Sequence, residues 1–182
     1  SLDGSEELLS VSELNGVVPR KLIREGEEHL TRSETLEGYL KVSKNDLVSN
    51  IMLMWKRGLG VSDYDGIVSP AYSVFQFNEG VSKYFHYLFR TDFYVSEFRR
   101  NSTGVIESRL RLYDDEFRSI YVHFPPIPEQ LQIVKYLDQK IELIDQLISS
   151  KEEKIELLNQ RRLGLITNVI TKGLNSKIGM KE

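Results

Sequence analysis

From Val134 onward the apolar residues of this chain fall on a seven-residue repeat. With Val134 at a, the a row reads Val134, Ile141, Ile148, Ile155, Arg162 and Val169. The d row reads Leu137, Ile144, Lys151, Leu158, Leu165 and Lys172. This is the seam of a coiled coil or of a long antiparallel helix pair. Its entry is marked by Pro125, Pro126 and Pro128, and the only later residue of Pro or Gly type before Gly173 is Gly164. Proline suits the first turn of a helix, where its missing N–H would have no partner, and Glu129 follows where the helix dipole favours an anion. A helix running to Lys172 would be on the order of 65 Å long at 1.5 Å per residue. It needs a second long helix beside it, and the sequence holds none. Lys151 and Arg162 interrupt the seam, which restricts the registers a partner can adopt.

Upstream the period changes. Leu8 to Ser12 is a short β-rich run, and the turn pair Asn15-Gly16 leads to a second one, Val17-Val18-Pro19. Residues 20–46 are polar, with Glu25-Gly26-Glu27-Glu28 expected as a solvated loop and a strand after Gly38. Asp46 to Trp55 reads as a buried strand ending at Lys56-Arg57-Gly58, and segments up to Phe77 are expected to complete a β-meander bent at Pro70. Tyr84, Phe85, Tyr87, Phe89, Phe93, Tyr94 and Phe98 have helical spacing, so one or two helices are expected across 81–98. That row fits a core better than a platform for stacking bases. Residues 99–104 read as a loop, 105–112 as helix or strand, 114–117 as a turn and 119–124 as a strand. The fold class is α+β: a mixed globule followed by one long helix.

Composition narrows the function. Cysteine is absent, which excludes disulfides, thiol nucleophiles and cysteine-held metals. No apolar run is long enough to span a membrane and no signal peptide opens the chain, which fits a cytoplasmic protein. His29, His86 and His123 lack the spacing of a metal site or triad, and no phosphate-binding glycine loop or methyltransferase motif occurs. No catalytic residue and no metal ligand is expected.

The net charge is −3, unlike the basic balance of many nucleic-acid binders. Charge is nonetheless uneven. Residues 1–46 carry ten acidic against six basic side chains, whereas residues 83–111 carry six basic against three acidic. A local basic face is enough for phosphate contact. Three places offer one. Lys56 and Arg57 end a strand; Arg99, Arg100, Asn101, Ser102 and Thr103 combine cations, an amide and hydroxyls before Gly104; Arg109 and Arg111 lie two apart. Each has a plainer alternative: a solvated hairpin end, a helix C-terminus closed by arginine, and ion pairs to Asp114 or Glu116.

The run Pro125-Pro126-Ile127-Pro128-Glu129-Gln130, then Ile133-Val134, Leu137-Asp138, Ile144-Asp145 and Leu147-Ile148, resembles the conserved region of specificity subunits of Type I restriction–modification systems. Lys154 to Leu158, Arg161-Arg162 and the exit Thr171-Lys172-Gly173-Leu174 continue the likeness. Glu7 to Ser12, Gly66 to Tyr72 and Ser102-Thr103-Gly104-Val105 are similar to parts of the family's recognition domain.

The resemblance implies a target recognition domain at 1–124, a long helix at 125–174 for dimerisation and methyltransferase docking, and a tail at 175–182. It implies a non-catalytic subunit that binds double-stranded DNA and reads half of a bipartite site. Its partners would be methyltransferase and restriction subunits, which would carry S-adenosylmethionine, ATP and Mg; the chain itself would hold no cofactor. A complete subunit of the family has two recognition domains and two long helices. This chain shows one of each and no repeat, as a half-subunit or fragment would, so a homodimer through the helix is expected. Ser1 to Gly4 reads as a possible cloning remnant. A structural adaptor that pairs through the helix without binding DNA is the competing reading.

Overall fold

The computed structural model describes residues 6–22, 38–106 and 109–174. The loop expected at 25–28, His29 and the tail at 175–182 lie outside them.

Strands β1 (Leu9–Ser12) and β2 (Gly16–Pro19) form an antiparallel hairpin. Gly16 makes its turn at φ 73, and a Cβ there would stand 2.8 Å from the His86 ring, so only glycine fits. Strand β3 (Leu40–Val42) pairs with β6 (Gly66–Val68). Strand β4 (Leu47–Asn50) lies between β5 (Leu59–Val61) and β7 (Tyr72–Phe75), antiparallel to both. The expected meander is therefore corrected, because β6 leaves its sequence neighbours to pair with β3.

All four residues of β4 are buried, and alternation divides them between two cores. Val48 joins Leu9, Val11, Val17, Val42, Val68 and Tyr72. Leu47 joins Met54, Leu59 and the helical aromatics Tyr84, Phe85, Phe89, Tyr94 and Phe98. Those aromatics belong to α1 (Ser82–Phe89) and α2 (Asp92–Asn101), whose inward faces form the second core; Phe93 is exposed. The fold is α+β, with strands on one side of β4 and helices on the other.

A short helix α3 (Asp114–Arg118) replaces the expected turn, and the strand expected at 119–124 does not form. His123 explains why. Its amide donates to the Tyr94 hydroxyl at 2.9 Å and its carbonyl accepts from the Tyr84 hydroxyl at 3.2 Å, leaving nothing for a β ladder. Burial raises the Tyr84 pKa above its ordinary value, helped by Tyr94 and Glu129.

Helix α4 runs from Ile127 to Lys172, 46 residues. Gln130, fully buried, fixes its start by donating to the Pro125 carbonyl and accepting from the Val81 amide, both at 2.8 Å. The chain divides into two compact units, Ser1–Val134 and Lys135–Glu182. The first therefore includes the opening turns of α4, with Val134 in its core. In the second, every described residue from Gln139 on is exposed. Val134 is buried and Leu137 half-buried, whereas Ile141, Ile144, Ile148, Ile155, Leu158, Leu165 and Val169 present apolar side chains to solvent.

Candidate nucleic-acid interface

The buried strand read as continuing to Trp55 stops at Asn50. The Asn50 side-chain oxygen accepts from the Met52 amide at 3.0 Å and its carbonyl from the Leu53 amide at 2.9 Å, which turns the chain. A 3-10 turn follows at Met54–Lys56 and ends on Arg57 in the left-handed region at φ 62. A non-glycine residue there needs support. Arg57 has it: Nε donates to the Arg90 carbonyl at 3.0 Å, and the guanidinium pairs with Asp92.

Arg90 completes the brace. Its guanidinium donates to the carbonyls of Arg57 at 3.0 Å, Leu59 at 2.8 Å, Glu13 at 2.5 Å and Leu14 at 2.7 Å. Burial lowers its pKa from the ordinary value, and the Arg57 charge adds to this. Replacing Arg90 by Met would strand several carbonyls, and unfolding stability should fall by roughly 2–3 kcal/mol. Urea midpoints at constant m-value measure it; a change below about 0.5 kcal/mol, the range of ordinary surface substitutions, would mean the brace is idle.

Lys56 does not share in the brace. It is exposed, with Nζ 4.8 Å from the centre of the Trp55 ring. From the last turn of α2, Arg99 brings its guanidinium to 5.5 Å from the same ring. The indole is itself fixed, because Nε1 donates to the Met52 carbonyl at 2.9 Å. Cations gather at an aromatic face because the ring's quadrupole attracts them. Two positions 43 apart in sequence thus meet at one largely buried side chain, which nothing in the sequence marks as their meeting point.

The expected loop at 99–104 is corrected in its first half: Arg99, Arg100 and Asn101 are the last turn of α2. Arg100 pairs with Glu97 at 2.9 Å on the surface. Asn101 donates to the Glu97 carbonyl at 2.8 Å and Ser102 to the Phe98 carbonyl at 2.7 Å, so both close the helix end.

Beyond Ser102 the chain leaves the helix. Thr103 and Arg111 exchange two backbone hydrogen bonds of 2.9 Å. The Leu112 amide donates to the Ile51 carbonyl at 2.9 Å, which ties this segment to the Asn50 turn. Arg109 and Arg111 are both exposed, and no ion pair among the described residues joins either to Asp114 or Glu116. Asp114 instead accepts from the Ser73 hydroxyl at 2.6 Å. Of the stretch 105–112, expected as helix or strand, the described residues hold no strand: Arg109 has 3-10 geometry and Arg111 makes a single bridge to Thr103.

Lys56, Arg99, Thr103, Arg109 and Arg111 therefore lie on three segments bonded to one another, while Arg57 is engaged in the turn beneath. Among the described residues no group of three or more His, Asp or Glu is placed to hold a metal ion. No described helix is long and apolar enough to cross a membrane.

No curated protein matches the chain. A family model does, that of the Type I restriction modification DNA specificity domain, over residues 32–157. The match takes in strands β3 to β7, helices α1 to α3, the basic loop and most of α4, well over half of the chain. The chain belongs to the Type I restriction modification DNA specificity domain family.

Proposed function

We propose that the globule reads one half of a bipartite DNA site, and that the long helix pairs with a second copy and docks methyltransferase subunits. Double-stranded DNA is contacted by Lys56, Arg99, Arg100, Thr103, Arg109 and Arg111. Asn101 and Ser102 hold the helix end that carries two of these cations. The observation that carries the reading is that segments bearing Lys56, Arg99 and Arg111 are tied to one another, Leu112 to Ile51 by a backbone bond and Lys56 and Arg99 at the Trp55 ring. Cations on such a surface fix the protein on the phosphates, and loop side chains between them reach base edges. Methyl transfer and cleavage belong to partner subunits, which bind S-adenosylmethionine, ATP and Mg.

The pairing rests on the exposed seam. Ile141, Ile144 and Ile148 stand before a charged middle, Lys151 to Glu156, and Leu158, Leu165 and Val169 stand after it. An antiparallel second copy sets apolar on apolar and polar on polar, which is the self-complementarity of a two-fold interface. Two globules so placed match a site with inverted symmetry and a fixed gap.

Enrichment of random duplexes by the chain mixed with its methyltransferase subunits tests the reading. A gapped inverted repeat is the expected product. A single short half-site would refute the pairing, and no enriched sequence would refute DNA reading and leave the adaptor.

A further inference from the structure

In the first turn of α4 stands an amide that packing alone does not call for. Gln130 is fully buried, and a leucine would fill much the same space without desolvating a polar group. What the amide adds is direction. Its Nε2 donates to the Pro125 carbonyl and its Oε1 accepts from the Val81 amide, each at 2.8 Å. Val81 caps the start of α1, so two helix starts 49 positions apart in sequence are tied through one side chain. The approach to Gln130 is held as firmly. The His123 backbone lies between the Tyr84 and Tyr94 hydroxyls, Pro125 is buried, and the Phe124 ring lies 5.8 Å from that of Phe85. Gly80, at φ 94, backs this ring pair: a Cβ there would come within 2.6 Å of Phe85 and 3.1 Å of Phe124. One turn beyond Gln130, Val134 enters the core. From Val134 to Gly164 the helix has neither proline nor glycine, the usual places for a kink.

Resting on the reading of two globules paired through α4, we infer that Gln130 is a positioning residue for site specificity: it fixes the length of the gap between the two half-sites without touching DNA. A buried, fully hydrogen-bonded amide selects one arrangement where apolar packing would tolerate several. The helix then acts as a lever. About 20 residues, or roughly 30 Å, lie between Val134 and the middle of the seam, so a swing of about 10° at Gln130 displaces a globule by about 5 Å, more than the 3.4 Å rise of one base pair. With that swing suppressed, DNA itself must absorb an added base pair. The added pair also turns one half-site by about a tenth of a turn, and deforming the duplex to undo both is costly.

The test uses the chain with its methyltransferase subunits and reads gap length and half-site sequence separately. The unaltered assembly should enrich one gap and bind duplexes one base pair longer or shorter about tenfold more weakly. With Gln130→Leu the enriched gaps should spread over about three lengths and the penalty for one base pair should fall below about threefold. Half-site sequence and sedimenting mass should stay as they were. Gln130→Glu supplies a rescue, and decides the matter if the leucine variant does not fold. A protonated glutamic acid keeps one donor and one acceptor, whereas its carboxylate cannot donate to the Pro125 carbonyl. Burial favours the protonated form, so the gap tolerance of Gln130→Glu should rise between about pH 6 and about pH 9, while that of the unaltered protein stays flat. A single sharp gap for Gln130→Leu, or a gap tolerance in Gln130→Glu that ignores pH, overturns the inference and leaves DNA reading and pairing standing. Half-site sequence lost together with the gap in a folded Gln130→Leu would mean that the amide only supports the globule, and overturns it too. If the unaltered assembly enriches no gapped repeat, the paired reading itself fails, and the inference with it.

Discussion

Ile144→Asp combined with Ile148→Asp should reduce the mass of the protein in sedimentation from that of two copies to that of one. Both side chains are about half exposed on the lone chain, so the exposed remainder becomes buried only on association. Burying that remainder on two isoleucines in each of two copies is worth about 1 kcal/mol apiece, on the order of 4 kcal/mol in all. Four carboxylates entering a dry seam add desolvation to that loss. An interface that loses so much does not persist at micromolar concentration. Ser149→Asp, directly after Ile148 at the outward b position of the heptad, should leave the mass unchanged. The globule should melt as before, because its core ends at Val134. The enriched DNA site should contract from a gapped inverted repeat to a half-site. If the double variant still sediments as two copies, the seam is not where they meet.

The helix carrying that seam was legible because its signal is local and repeated: a proline-marked start, a heptad and an exit at Gly173. Helices α1 and α2 were legible for the same reason, and so was the β1–β2 hairpin with its Asn15-Gly16 turn. What failed was pairing between distant segments. Nothing in Ile67-Val68 tells it to join Leu40–Val42 instead of the strands beside it in sequence. Ser119 to Phe124 has the composition of a strand, but two tyrosine hydroxyls from α1 and α2 take the His123 backbone. The candidate surface was half legible. Clusters of cations show in any sequence, yet which of them are engaged depends on three-dimensional partners. Arg57 and Lys56 are neighbours, and only the first pairs with Asp92. Arg90, which braces the whole turn, sits in a helical stretch with no mark to distinguish it from a solvated arginine.

Alanine at Lys56, Arg99, Arg109 and Arg111 together should weaken DNA binding on the order of a thousandfold at about 0.1 M salt. The estimate follows from counterion release. Each phosphate neutralised contributes a salt exponent of about 0.9, which is about eightfold in affinity at 0.1 M relative to 1 M. Four such contacts multiply. The slope of log affinity against log salt should fall in magnitude by about one for each cation removed, uniformly across sequences. Lys56→Ala and Arg99→Ala should couple in a double-mutant cycle, because both cations lie over the Trp55 ring and removing one relaxes the other. Arg57→Ala should separate from this set. Its guanidinium pairs with Asp92 and its Nε with the Arg90 carbonyl, so its loss should lower folding stability and leave the salt slope unchanged. Filter binding from 50 to 400 mM salt reads all of these as slopes. A quadruple variant whose slope matches the unaltered protein would place the phosphate-binding face elsewhere on the globule. A slope lost in full with Arg57→Ala alone would mean that the turn, and not the cations it presents, is what DNA grips.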